Sequence, residues 1–124
     1  MKVRFFDSLP DAARLIRVTV FMNEQGFTDE FDALDKIAMH AVMFDGEMPV
    51  ATCRFWQGDD GWHVGRLAVI QAFRGHGLGQ AMLDVSEAHV RSVGGHSVTL
   101  HAQVRAKEFY ENAASRTGVE PSWF

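Results

Sequence analysis

The run Ala72-Phe73-Arg74-Gly75-His76-Gly77-Leu78-Gly79 constrains this chain more than any other segment, because it joins a strand to a helix through three glycines set two apart. Trp62 to about Ile70 reads as the strand before it. Leu78, Met82, Val85 and His89 then recur at helical spacing, with Ala81 and Ala88 on the same side, until Gly94-Gly95 stops the helix. A strand feeding such a turn presents unpaired backbone N–H groups at the positive end of a helix dipole, which is a site for an anion. Glycines at 75, 77 and 79 remove side chains that would keep a phosphate off the backbone, and Arg74 adds a charge at the rim. Three glycines alone could also be no more than a tight connection. A nucleoside-triphosphate loop is excluded, since no Gly-Lys-Ser/Thr ends the run. A dinucleotide site is disfavoured, since that pattern belongs on an early strand with an acid about twenty residues later.

The remaining pattern predicts one α/β domain over residues 1–124, a length that suits a single self-sufficient core. Val3, Phe5 and Phe6 suggest a first strand. A helix is expected to start at Asp7-Ser8-Leu9-Pro10-Asp11, with Leu9, Ala13, Ile16 and Val20 as its apolar stripe, and to end near Asn23-Glu24-Gln25-Gly26. Residues 27–37 read as an ordered loop or short helix anchored by Phe27, Phe31 and Leu34. Met39 to Phe44 and Val50 to Trp56 flank the turn signal Asp45-Gly46, and Asp59-Asp60-Gly61 leads into the strand from Trp62, giving an antiparallel meander. Ser97 to Val104 alternates as a last strand, parallel to 62–70 because a helix links them, and Ala106 to about Ala113 reads as a final helix. The expected architecture is a mixed sheet with helices on both faces.

Sixteen acidic residues against twelve basic ones give a net charge of −4 with no basic stripe, which argues against nucleic acid as a partner. The N-terminus offers neither a secretory apolar core nor a membrane span, and the single cysteine cannot form an internal disulfide, so a cytoplasmic protein is expected. The six histidines show no i, i+4 helical pair and no cysteine companion, so no metal site is expected.

Taken together, these segments resemble the GNAT superfamily of N-acetyltransferases. Arg74-Gly75-His76-Gly77-Leu78-Gly79 resembles its pyrophosphate signature, Gln/Arg-x-x-Gly-x-Gly/Ala. Gly65-Arg66-Leu67-Ala68-Val69 looks like the strand beside the pantetheine arm, and Leu100-His101-Ala102-Gln103 through Ala106, Phe109, Tyr110 and Glu111 like the later strand and helix. Val20-Phe21-Met22-Asn23-Glu24-Gln25 is similar to the Val-Phe-x-x-Glu-Gln signature of a branch of small bacterial members.

The resemblance implies acetyl-CoA as cosubstrate, inserted where the two parallel strands splay apart. The cofactor-binding positions it implies are Leu67, Ala68, Val69, Arg74, Gly75, His76, Gly77, Leu78, Gly79 and Phe109. The phosphates would meet N–H groups of the turn, and Leu67 and Val69 the pantetheine amides. An N–H of Val69 or Leu67 would also stabilise the charge that develops on the thioester oxygen. The implied acceptor is a primary amine of a small molecule or an exposed amino group, attacked directly in a ternary complex. Tyr110 is the candidate acid, returning a proton to the departing thiolate, or else a helix residue packing beside Phe109. Glu24 is the candidate base acting through water, or else a bridge to the next loop. Cys53 either faces the substrate channel or is a small apolar filler.

Acids at 24, 29, 30, 32 and 35 hint at a cationic acceptor, or else form an acidic loop that is simply solvated. The family's closing strand pair has no room after Gly118-Val119, so the strand from 97 to 104 is expected to have an open edge covered by a second copy, a homodimer. A non-catalytic acyl-CoA-binding module is the alternative function.

Overall fold

The computed structural model describes residues 1–26, 31–102 and 120–123. One six-stranded sheet runs in sequence order: β1 (Lys2–Phe6), β2 (Met39–Asp45), β3 (Met48–Gly58), β4 (Gly61–Val69), β5 (Val98–Ala102) and β6 (Glu120–Trp123). The first four strands are antiparallel neighbours, while β5 lies parallel to β4 and β6 parallel to β5. The mixed sheet, the meander and the parallel pair agree with the sequence pattern.

Helix α1 (Asp11–Arg17) covers one face of the sheet and α2 (Leu78–Ser92) the other. Alternation along the strands separates the two cores. Ala41, Cys53, Phe55 and Val64 join Met82, Leu83 and Val90 of α2, whereas Val42 and Ala68 join Ala13, Ile16, Val20 and Phe21. Each large apolar side chain so buried contributes about 1.5–3 kcal/mol. On α2 the expected positions Leu78, Ala81 and Met82 pack into the core and His89 packs on Phe55, with Gln80, Leu83, Ser86 and Val90 also buried, whereas Val85 is half-buried and Ala88 exposed. Ser86 turns inward, donating to the Met82 carbonyl and contacting Cys53.

Three further differences have local causes. Helix α1 starts at Asp11 with Pro10 as an extended N-cap and no capping side chain, so neither Asp7 nor Ser8 caps it. Beyond Arg17 the coil widens into a π-helical segment, Val18–Glu24, at the β-branched run Val18-Thr19-Val20, where the Thr19 hydroxyl donates to the Leu15 carbonyl at 2.9 Å. The acidic segment forms a 3-10 turn, Ala33–Lys36, held by a capping box in which Asp32 and Asp35 serve each other's backbone. Of its expected anchors, Phe31 lies under the Arg14 and Arg17 guanidinium groups and Leu34 is half-buried, and ion pairs of Asp32 and Asp35 add to them.

The glycine stop after α2 is a Schellman closure: the Gly95 N–H donates to Val90 and the Gly94 N–H to Arg91. Gly94 is left-handed at φ +92°, and a Cβ on Gly95 would lie 2.4 Å from Val90 and 2.9 Å from Trp62. The expected open edge is corrected: Thr99 to Ala102 of β5 pair with Glu120 to Trp123, so the chain's own C-terminal strand occupies the place assigned to a second copy. The expected helix from Ala106 to Ala113, with Phe109 and Tyr110, lies outside the described residues, as does Phe27.

Candidate functional site

The parallel ladder between β4 and β5 is short. Trp62, His63 and Val64 pair with Val98, Thr99 and Leu100, after which β4 continues to Val69 and β5 to Ala102 without pairing to each other. The sheet therefore opens between the parallel strands β4 and β5. The Ile70 N–H donates to Val50 of β3 at 3.0 Å, which fixes the parity of the preceding residues. Strand N–H groups alternate sides, so that of Ala68 points toward β3 and those of Leu67 and Val69 point into the opening. Leu67 and Val69 are half-buried and Ala68 is buried.

Just before these residues the ladder slips by one. Thr52 pairs with Ala68 but Arg54 with Gly65, so Cys53 of β3 faces both Arg66 and Leu67, a β-bulge. Arg66 sits at φ +50°, the one left-handed non-glycine among the described residues. Nothing in Gly65-Arg66-Leu67 announces this; the bulge belongs to strand register, which a sequence pattern cannot specify.

At the end of β4 a 3-10 turn (Gln71–Phe73) leads to Arg74 and the glycines. Gly75 at φ +83° and Gly77 at φ +75° are left-handed, and a Cβ on either would meet nothing within 4 Å. The glycines are needed for backbone conformation, and the space beside them is open. Gly77 is the N-cap of α2 and offers no side chain, so the first N–H groups of that helix lack a capping partner from it. Gly75, His76 and Gly77 are exposed and Leu78 and Gly79 half-buried. The Arg74 N–H, by contrast, donates to Gln71 at 3.2 Å within the turn.

The Arg74 side chain ties the site together. Its Nε donates to the Val69 carbonyl at 2.9 Å, and its Nη2 approaches the Glu24 carboxylate at 2.8 Å and 3.0 Å. The widened helix end, the end of β4 and the glycine turn are thus pinned together. Among the described residues Glu24 therefore bridges to the glycine turn, not to the loop that follows it.

On the α1 face an ionic chain lies beside the bulge. Arg17 grips Asp35 with both nitrogens, at 2.6 and 3.1 Å; Arg54 contacts Asp35 at 3.0 Å and grips Asp32 at 2.6 and 3.1 Å; Arg66 reaches Asp32 at 3.5 Å. Burial alone would raise the Asp35 carboxyl, but hydrogen bonds from Arg17, the Asp32 backbone and Arg54 outweigh it and hold it at about 2. The Arg54 hydrogen bond likewise lowers Asp32. The hint that acids 32 and 35 await a cationic acceptor is corrected, since both carboxylates serve guanidinium groups of this chain. The Asp32-x-x-Asp35 spacing was a readable cap signal, but its arginine partners, up to 34 residues away, were not.

Cys53 lies in the α2 core, not a channel. It is 1% exposed, sits 3.1 Å from the Ser86 hydroxyl, and burial pushes its thiol up to about 12, so it is neutral and inert. The histidines scatter. His40 is buried and donates from Nε2 to the Asp35 carbonyl, His63 bonds Asp60 and stacks on Trp56, His89 packs between Phe5 and Phe55, and His76 and His96 are exposed.

Known proteins share this fold. Residues 8–114 match the acetyltransferase (GNAT) family. A Bacillus subtilis protein described as an acetyltransferase is 33% identical over 110 residues, covering 85% of this chain and 75% of its own. A crystal structure described as an N-acetyltransferase from Lactobacillus plantarum superposes with a TM-score of 0.79 at 31% identity, over 90% of this chain and 81% of that one. A GNAT acetyltransferase from Brucella melitensis, crystallised with acetyl-CoA, shares the fold at a TM-score of 0.62 and 16% identity, over 87% of this chain and 81% of that one.

Proposed function

The chain belongs to the acetyltransferase (GNAT) family, and from that premise we propose that it transfers the acetyl group of acetyl-CoA to a primary amine, of a small molecule or an exposed amino group, by direct attack. The observation that carries this reading is the alignment of two donor sets. N–H groups of Leu67 and Val69 face the opening between β4 and β5, and the glycine turn with the uncapped start of α2 lies at the end of the same strand. A long, flexible thioester arm carried on a pyrophosphate suits that arrangement.

In this reading the N–H groups of Gly75, Gly77, Leu78 and Gly79 hold the phosphates, with His76 at the crest of the turn and Arg74 bracing it through Glu24 and Val69. Leu67 and Val69 bind the pantetheine arm, and Ala68 keeps the strand seated on the α1 core. The bound thioester supplies the activated acetyl group. The Leu67 or Val69 N–H takes up the negative charge that develops on its oxygen; one such donor is worth about 3–4 kcal/mol in other acyl-transfer enzymes. Tyr110, with Phe109 beside it, serves as the acid that returns a proton to the sulfur; a neutral phenol suits a basic thiolate. Glu24 acts as a brace, and the amine loses its proton to water. A cytoplasmic setting accords with a buried cysteine that forms no disulfide. Among the described residues no helix is long and apolar enough to cross a membrane.

Acetyl-CoA should raise the melting temperature, with a stabilisation of about 2.7 kcal/mol at a hundred times Kd. Thiol release should depend on added primary amine, and Tyr110→Phe should lower kcat while leaving Kd for acetyl-CoA near wild type. No melting shift at millimolar acetyl-CoA removes the proposal, and unchanged kcat in the variant removes Tyr110 from it.

A further inference from the structure

We propose that Asp32 and Arg66 are positioning residues that clamp the β4 bulge and so aim the Leu67 N–H at the acetyl oxygen. The proposal rests on the acetyl-transfer reading above. It begins from Arg66, whose left-handed backbone at φ +50° is disfavoured for any side chain except glycine and persists only where surrounding structure over-determines it. The bulge that needs this conformation places Arg66 and Leu67 together opposite Cys53.

From the α1 face, contacts of both strands converge on the Asp32 carboxylate. Arg54, paired across the ladder with Gly65, grips both oxygens of Asp32, and Arg66 itself reaches Oδ2, the oxygen that Arg54 Nη2 also holds, at 3.5 Å. Asp32 therefore spans the two strands at the slip in register. Its own backbone is fixed by the capping box with Asp35, which Arg17 of α1 secures in turn. From the other face Cys53, Ser86 and the α2 core fill the space under the bulge. The residue that follows Arg66 is Leu67, so a rotation of the bulge turns the Leu67 N–H directly. An arginine here, where glycine would be conformationally easier, is explained by what its side chain reaches.

Arg66→Gly separates tether from backbone, because glycine accepts the left-handed bulge while removing the guanidinium. The readout is the infrared band of the ¹³C-labelled thioester carbonyl of acetyl-CoA bound to the full chain, which moves to lower frequency when an N–H polarises it. In wild type the band is expected below its position in water. Arg66→Gly and Asp32→Asn should each lose most of that shift, with Kd for acetyl-CoA within about twofold of wild type, and amine-dependent kcat should fall roughly ten- to a hundredfold, the cost of a misplacement near 1 Å. Arg66→Lys should recover part of the shift. The melting temperature of Arg66→Gly should match or exceed that of wild type. A full shift retained in Arg66→Gly overturns the proposal while leaving the acetyl-transfer reading intact. A wild-type protein that binds acetyl-CoA with no shift overturns the role given to the Leu67 N–H itself, and one that does not bind it overturns the reading beneath.

Discussion

Asp35 is pulled in two directions, by burial that favours its neutral form and by Arg17, the Asp32 backbone and Arg54, which favour the carboxylate and win. Its folded pKa of about 2 lies below the ordinary carboxylate value, so its stabilisation is full above about pH 4 and disappears as pH falls through 2. That contribution is about 2 kcal/mol. Burial also lowers His40, against the pull of the Asp35 carbonyl, so that histidine favours the fold when neutral and opposes it once pH falls below the usual histidine range. Urea midpoints should therefore decline from about pH 6 downward and steeply below 4, and Asp35→Asn should flatten the lower part of that limb. Arg17→Ala, which leaves the buried Asp35 carboxylate held by Arg54 and the Asp32 N–H, should cost about 1–3 kcal/mol by the same measurement at pH 7. Arg17, Asp35 and Arg54 are ordinary charged residues in the sequence. Their partnership depends on distant segments meeting, which explains why the acidic run read as a substrate lure.

Between elements, the glycine turn carries most of what was legible. Its left-handed positions follow from local chemistry, since Gly75 and Gly77 sit where side chains strain the backbone, and the helix after them has the periodicity the sequence displays. Gly77→Ala should lose about 1–2 kcal/mol of stability from the left-handed backbone alone, and should weaken acetyl-CoA binding further because its methyl would enter open space beside the turn. Calorimetry with acetyl-CoA separates these effects. The Arg74–Glu24 bridge was less legible, because it depends on the π-helical widening that brings the end of the first helix to the turn. Both side chains are partly exposed, so a double-mutant cycle with Arg74→Ala and Glu24→Gln should give a coupling of at most about 1 kcal/mol in stability. If the bridge braces the turn, acetyl-CoA should increase that coupling.

For the whole molecule, the sheet resolves what the C-terminal residues do. The strand Glu120–Trp123 pairs with β5 and becomes the sheet edge. Removing residues 119–124 should uncover β5 and promote association, measurable by light scattering, while the intact chain at the same concentration should scatter less. The sequence by itself determined the order of strands and helices as far as β5, the parallel pair and the place of the glycine turn, because those features follow from hydrophobic period, glycine conformations and short-range connection rules. Only the tertiary structure decided the bulge at Arg66, the ionic chain beneath it, the bridge to Glu24 and the pairing of the last strand. Each of these is a meeting of residues far apart in sequence, and its energy depends on register and burial that no local pattern records.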